Sequence, residues 1–253
     1  MLKLFSQSCL TMLAMILILG HAHAAEKPEP ESLKILVYGA TGKIGTHVVD
    51  EALGRSHLVT AVSRDPTKIT KTHDNLSAVQ GDILDSESIA RLVAGQDVVI
   101  VSVRGVARKS KDPNDAIQRI AVEKLVNALR DLGDDAPHLV HVGGAGSLEV
   151  EPGTLYADRL PKVFIPKSLE LEIAGQILAL EYLRTVEDVN WTYATPPKNF
   201  TNGKRTGVFQ IGGDQVLEDS RGRSRVSRAD FAVALVDEAE SNEHAMRRFS
   251  VAY

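Results

Sequence analysis

Three glycines at three-residue intervals, Gly39, Gly42 and Gly45, frame the run Gly-Ala-Thr-Gly-Lys-Ile-Gly. An apolar stretch (Leu33 to Tyr38) precedes the run, and a helix-patterned stretch (Lys43 to Leu53) follows from within it. A strand, a glycine turn and a helix start together make a socket for a dinucleotide pyrophosphate. The start of a helix presents unpaired backbone N–H groups and a partial positive charge. Gly39 permits the tight turn, Gly42 lets the main chain approach the phosphates, and Gly45 lets helix and strand pack closely. Thr41, Lys43 and Ile44 fill the rest of the loop and are candidate cofactor contacts. Lys43 either adds a second positive charge for a phosphate or sits solvated in the first helical turn.

Further candidates fall at the ends of later apolar runs. Ser63-Arg64 closes the second, with Arg64 25 residues after Gly39. An Asp or Glu near this point takes the adenosine ribose hydroxyls of NAD, whereas an Arg accommodates the 2′-phosphate of NADP. The planar guanidinium fork suits a phosphate dianion, so NADP(H) is expected over NAD(H). The alternative is a surface arginine paired with Asp65. After the third run come Gly81, Asp82 and Ile83. Asp82 can accept from the adenine amino group while Ile83 covers the ring, or it is a turn aspartate. Ser102-Val103-Arg104-Gly105 ends the fourth run, on the nicotinamide side. Arg104 meets a phosphate or an anionic substrate, or is a plain loop arginine. Gly143-Gly144-Ala145-Gly146-Ser147 follows the fifth run, and its glycines leave room for backbone to lie against a flat ring. Thr195 to Phe200, with Pro196 and Pro197, follows the sixth and borders the substrate pocket.

These positions need a particular frame. Strands are expected at Lys34–Tyr38, Leu58–Ser63, Ser77–Val79, Asp97–Val103, His138–Val142, Trp191–Ala194 and Arg248–Ala252. Helices are expected at Lys43–Leu53, Ser86–Val93, Pro113–Leu132, Ser168–Thr185 and Ala229–Glu240, the last opening on a capping-box-like Ser227-Arg-Ala-Asp230. Strands alternating with helices imply right-handed crossovers. The expected fold is therefore α/β and doubly wound: a mostly parallel Rossmann-type sheet with helices on both faces and a small C-terminal substrate-side lobe. Gly207 to Leu217 reads as a β-hairpin turning at Gly212-Gly213-Asp214, within that lobe.

Composition excludes several classes. With 253 residues, 43% hydrophobic, the chain suits one sizeable α/β core. A net charge of −4 and the lack of a basic block argue against nucleic acid. The first residues differ from the rest: Lys3 is the only charge before Glu26, Leu10 to Leu19 is apolar, and Ala22-His23-Ala24 offers a cleavage site. Residues 1–24 read as a signal peptide, 25–32 as a tether and 33–253 as a single dinucleotide-binding domain, giving an exported, periplasmic or secreted protein. No membrane span is expected after cleavage. An uncleaved N-terminal anchor is the alternative. Cys9, the only cysteine, leaves with the signal, which removes disulfides, thiol nucleophiles and thiolate metal sites. His138 and His141 share one strand without an evident third ligand, so no metal site is expected; they read as strand histidines facing a helix layer or a loop.

Together, Gly39-Ala-Thr-Gly-x-x-Gly, Ser63-Arg64-Asp65, Gly81-Asp82-Ile83-Leu84, Gly95-Gln-Asp-Val-Val-Ile, Trp191-Thr-Tyr and Ser227-x-x-Asp230-Phe-Ala resemble the atypical short-chain dehydrogenase/reductase group. More narrowly, the chain resembles the NmrA-like and NADH-flavin-reductase-like proteins, including the biliverdin/flavin reductases, over residues 33–253. The resemblance implies the fold and the cofactor; one fold hosts many chemistries. Typical short-chain dehydrogenases use a Tyr-x-x-x-Lys pair. Here Tyr38, Tyr156, Tyr182 and Tyr193 are followed four residues on by Gly42, Leu160, Val186 and Pro197, and Tyr253 is last. The biliverdin/flavin reductases also lack the pair and carry a serine that corresponds to Gly144 here, with Ser147 the nearest hydroxyl. No catalytic residue is therefore assigned. Hydride transfer to a planar acceptor such as a flavin or quinone survives this gap, because aligning two rings is the main task. A non-catalytic NAD(P)-binding sensor or carrier is the alternative, and a cofactor-dependent epimerase or isomerase the second.

Overall fold

Alternate residues along the first strand enter two different cores. In β1 (Lys34–Tyr38), Ile35 and Val37 join one apolar cluster while Leu36 and Tyr38 join another. The same division holds in β4 (Val98–Val101), where Val98 and Ile100 oppose Val99 and Val101. Side chains alternate with period two, so a strand covered on both faces must be apolar at nearly every position. The computed structural model describes residues 32–106 and 110–253. The expected signal segment, and the tether up to Glu31, lie outside the described residues.

The remaining strands of the main sheet are β2 (Leu58–Ser63), β3 (Leu76–Gln80), β5 (His138–Val142), β8 (Trp191–Thr195), β10 (Gln210–Gly212) and β12 (Arg247–Ala252). Their spatial order is β10-β12-β8-β5-β4-β1-β2-β3. Seven strands are parallel and only β10 runs antiparallel, against β12. The chain walks from β1 outward to β3, then returns to the other side of β1 with β4. A crevice opens at that reversal, above the carboxyl ends of the strands, where such sheets bind ligands.

Helices α1 (Gly45–Gly54) and α6 (Arg228–Ser241) pack together on one face, and α2 (Ser86–Val93), α3 (Ile117–Leu132) and α5 (Lys167–Leu183) cover the other. The smaller elements are α4 (Tyr156–Arg159) and two ribbons, β6 (Glu149–Glu151) with β7 (Thr154–Leu155) and β9 (Asn199–Thr201) with β11 (Arg225–Ser227). They lie in the segments that follow β5, β8 and β10, within the same compact unit as the main sheet. No described helix is long and apolar enough to cross a membrane.

Three local expectations differ from the structure for identifiable reasons. The long central helix begins at Ile117, because Asp112 caps a separate 3-10 turn over Pro113–Asp115 and Ala116 is extended with ψ of 131°. The 207–217 segment is not a hairpin. Gln210–Gly212 pairs with β12, and the Gly212-Gly213-Asp214 turn then sends the chain to Gln215, which bridges Glu149 of β6. The box at Ser227 is half formed. Ser227 Oγ accepts from Asp230 N (2.9 Å), but the Asp230 carboxylate accepts instead from Thr206 N (2.6 Å), Gly207 N (2.8 Å) and the Tyr253 hydroxyl (2.6 Å). The Ser227 amide donates to that same tyrosine oxygen at 3.1 Å. Asp230 thus ties α6 to Thr206 and Gly207, and the Tyr253 hydroxyl holds both Asp230 and Ser227.

Candidate dinucleotide site

The β1–α1 turn is shaped by what cannot fit there. Gly39 adopts φ of +79°, and a Cβ on it would lie 2.2 Å from Ser102 O at the tip of β4. A Cβ on Gly45 would lie 2.1 Å from Gly39 O. Between them the Gly42 amide donates to Gly39 O at 2.8 Å. Any larger residue at Gly39 or Gly45 would push backbone against backbone. Helix α1 then starts without a capping side chain and without an acidic residue in its first turn. The amides of Thr41, Lys43 and Ile44 have no acceptor among the described residues. Unpaired N–H groups at a helix start are a ready anion site, so this cradle fits a pyrophosphate.

A cleft of about 330 Å³ extends from this turn along the strand tips. It brings together nine of the expected contacts: Gly39, Thr41, Gly42, Ser63, Arg64, Asp82, Ile83, Val103 and Arg104. Lys43, Ile44 and Gly45 do not line it; they continue from the turn into α1. At one end, Arg64 is exposed and makes no ion pair among the described residues. Its neighbour Asp65 is occupied elsewhere, accepting from Thr67 Oγ1 (2.6 Å) and Thr67 N (3.3 Å) to cap the Pro66–Lys68 turn. The Thr67 hydroxyl foremost holds the Asp65 carboxyl below its ordinary range. That turn brings Lys68 into the same cleft wall. Sequence reasoning missed Lys68. The available signal was Pro66, which starts a tight turn that sends the chain back over Arg64.

Asp82 commits one oxygen, accepting from Leu84 N at 2.9 Å. Ile83 is 7% exposed and belongs both to the core and to the cleft wall. An acceptor beside an apolar wall suits an adenine edge and face. At the opposite end, Arg104 Nε lies 2.8 Å from Glu172 Oε1 and its Nη2 lies 3.2 Å from Oε2, so this loop arginine is held by α5.

The fifth strand ends differently from expectation. Gly143 and Gly144 do not line the cleft. A Cβ on Gly143 would sit 2.0 Å from Tyr193 Cε1, so the flat ring that this glycine accommodates is the protein's own. The Tyr193 hydroxyl donates to Gln176 O at 2.8 Å, and burial pushes its phenol above the ordinary range. Ser147 is buried as well. Its Oγ donates to Gly144 O (2.9 Å) and accepts from Arg248 Nη1 (3.0 Å), while Arg248 is paired with Asp214. Neither hydroxyl is free to exchange a proton with a substrate. His138 accepts or donates at Thr192 Oγ1 (2.9 Å) on the α6 side, and His141 stacks on Tyr193 at 5.4 Å between centroids on the α5 side. Burial pushes both imidazoles down to about 4, so both are neutral near pH 7.

The profile of the NAD(P)H-binding family matches residues 39–242, from the first glycine of the turn to the end of α6. The chain belongs to the NAD(P)H-binding family. Solved structures agree with that assignment. A "putative epimerase" from Bacteroides thetaiotaomicron superposes with a TM-score of 0.77 at 27% identity, covering 88% of this chain and 98% of its own. A "Putative exported protein" from Burkholderia pseudomallei is 35% identical, with a TM-score of 0.73 and coverage of 87% and 100%. A "putative NADH-flavin reductase" from Streptococcus pneumoniae is 28% identical, with a TM-score of 0.71 and coverage of 87% and 99%. In this NAD(P)H-binding protein the motif residues lie at the β1–α1 turn, the β2 tip and the β3 tip.

Proposed function

We propose that this protein is an NADP(H)-dependent reductase that passes hydride to a planar acceptor such as a flavin or quinone. The observation that carries the reading is the pairing of two cleft cations, Arg64 and Lys68, with a helix start whose amides are unclaimed. Arg64 has no anion of its own among the described residues, and Lys68 has only Asp65, at 3.7 Å. The amides of Thr41, Lys43 and Ile44 hold the pyrophosphate, Arg64 and Lys68 the 2′-phosphate, and Asp82 with Ile83 the adenine. The bound nicotinamide supplies the hydride. The chain's own part is to orient the two rings and to exclude water.

The acceptor class follows from which hydroxyls are committed. Tyr193 and Ser147 are both buried and bonded. A ketone or alcohol needs a proton exchanged at the reacting oxygen, whereas a flavin or quinone ring accepts hydride and takes its proton from solvent. The likeness to the Streptococcus protein supports the same class, and the likeness to the Burkholderia protein supports export of the mature domain after residue 24. Purified mature protein is expected to oxidise NADPH when offered free flavin or a quinone. Turnover no greater than that of a Gly39→Val variant across such a panel rejects the reading. Tight NADPH binding without turnover would instead establish the sensor or carrier alternative, which the same committed hydroxyls favour.

A further inference from the structure

The ion pair between Arg104 and Glu172 joins the β4 tip, which lines the cleft, to α5, and nothing in the proposed cofactor contacts uses it. Arg104 stands at the tip of β4, on the nicotinamide half of the crevice, and its side chain is 72% exposed. It follows Val103, and the next residue, Gly105, has φ of +129° and accepts from Ile117 N at 3.0 Å. The base of the loop is thus fixed to the start of α3 while the guanidinium reaches into solvent. Glu172 is anchored from behind: its carbonyl accepts from Nε2 of the fully buried Gln118 at 2.9 Å.

A cation at this end of the cleft finds no anion on the cofactor's reacting ring. Oxidised nicotinamide is itself positively charged, so a bare arginine beside it opposes hydride release. Glu172, itself 17% exposed, neutralises the arginine, but the guanidinium end of the pair is open to solvent, which weakens it. A phosphate or carboxylate offers the same fork a bidentate contact at least as strong. We infer that Arg104 is the specificity residue for the acceptor: it leaves Glu172 to bind an anionic group carried by the planar ring. The inference rests on the reductase reading above and narrows its substrate class to anionic acceptors.

FMN and riboflavin share one ring and differ by a phosphate, so they isolate this contact. With saturating NADPH, wild-type protein is expected to favour FMN over riboflavin in kcat/KM by about tenfold, the worth of one charge-assisted contact. Arg104→Gln is expected to bring the two flavins together. Glu172→Gln, which releases the arginine, is expected to widen the gap, and raised salt is expected to narrow it. Equal use of both flavins by the wild type, or a ratio unchanged in Arg104→Gln, overturns the inference. Weaker NADPH binding in Arg104→Gln with the flavin ratio intact also overturns it, by giving the arginine to the dinucleotide. Flavin fluorescence quenching on protein saturated with NADP⁺ makes the same comparison without turnover. If neither flavin is reduced, the reductase reading fails, and the ratio of the two dissociation constants still decides the role of Arg104. Equal constants, or no binding of either flavin, overturn it.

Discussion

Replacing Arg64 with Asp should separate the two nicotinamide dinucleotides. Arg64 lies in the cleft wall, exposed, with no ion pair among the described residues, so the wild type breaks no bond to receive a phosphate. A hydrogen bond to a charged group contributes about 1.5–3 kcal/mol. Exposure puts Arg64 in the lower half of that range, and Lys68 in the same wall retains part of the attraction. Removing the guanidinium should therefore cost about 1.5–2 kcal/mol of NADPH binding, roughly 10- to 30-fold. An aspartate adds like-charge repulsion of about 1 kcal/mol at 4 Å in water, which brings the total near 100-fold for Arg64→Asp. NADH has no 2′-phosphate and should change by no more than about threefold, less than 1 kcal/mol. Titration by nicotinamide fluorescence at low and high salt reads both constants. The NADPH loss should shrink as salt rises, because the Debye length falls to about 8 Å at physiological ionic strength. Equal losses for NADPH and NADH would show that Arg64 does not read the extra phosphate, and the argument for NADP(H) would fall with it.

Two further predictions test the cradle and the buried histidines. Gly45→Ala places a methyl 2.1 Å from Gly39 O and must open the turn; NADPH binding should weaken about 100-fold, the cost of misplacing a site by roughly 1 Å. Gly54→Ala, at the other end of α1 with open space around it, should leave the titration unchanged and so serves as the control. For His138 and His141, burial pushes the folded pKa to about 4, below the unfolded value of about 6.5. The unfolded chain therefore binds protons that the fold refuses. Their contribution to stability should be complete above about pH 6.5 and should be lost as pH falls toward 4, at up to roughly 2.7 kcal/mol per pH unit for two protons. Urea midpoints from pH 7.5 to 4.5 measure that slope, and His141→Gln should halve it; an unchanged slope would mean that His141 is charged in the fold.

Much of this frame was legible because local pattern and tertiary role coincide. β1, β2, β5 and α2 fall on the expected residues: β1 and β5 are buried at nearly every position, β2 at Val59, Ala61 and Val62, and Asp85 caps α2 by accepting from Glu87 N. The edges were less legible. β10 resembled half of a hairpin because its turn residues are local, but its partner β12 lies some forty residues on, and no local signal reports that pairing. The β1–α1 turn could be read because its glycines answer to a single steric problem. Gly143 could not, because a glycine that makes room for a ring does not say whose ring, and the answer is Tyr193 in another strand. Lys68 escaped for a related reason: it reaches the cleft only through the Pro66–Lys68 turn, outside the strand-tip positions where the search for contacts looked.

The β4 tip, which lines the cleft, and the loop after β5, which does not, are held by different means. On the β5 side the main chain is fixed from below. Arg248 of β12 donates to Ser147 O at 2.8 Å and is itself gripped by Asp214, which also binds Arg184 of the α5 C-cap at 2.6 Å. A loop tied to the last strand by buried bonds from Arg248, which is itself held by a half-exposed Asp214, has little freedom to move. On the β4 side the Arg104 side chain has, among the described residues, one ion pair, with Glu172, and its guanidinium is open to solvent. In the proposed reductase, keeping the rings oriented calls for fixed backbone and selecting among acceptors calls for an exchangeable contact, and these demands fall on separate residues. Substitutions in the Arg248–Asp214 group should therefore lower kcat for every acceptor together, whereas those at Arg104 and Glu172 should change which acceptor is preferred.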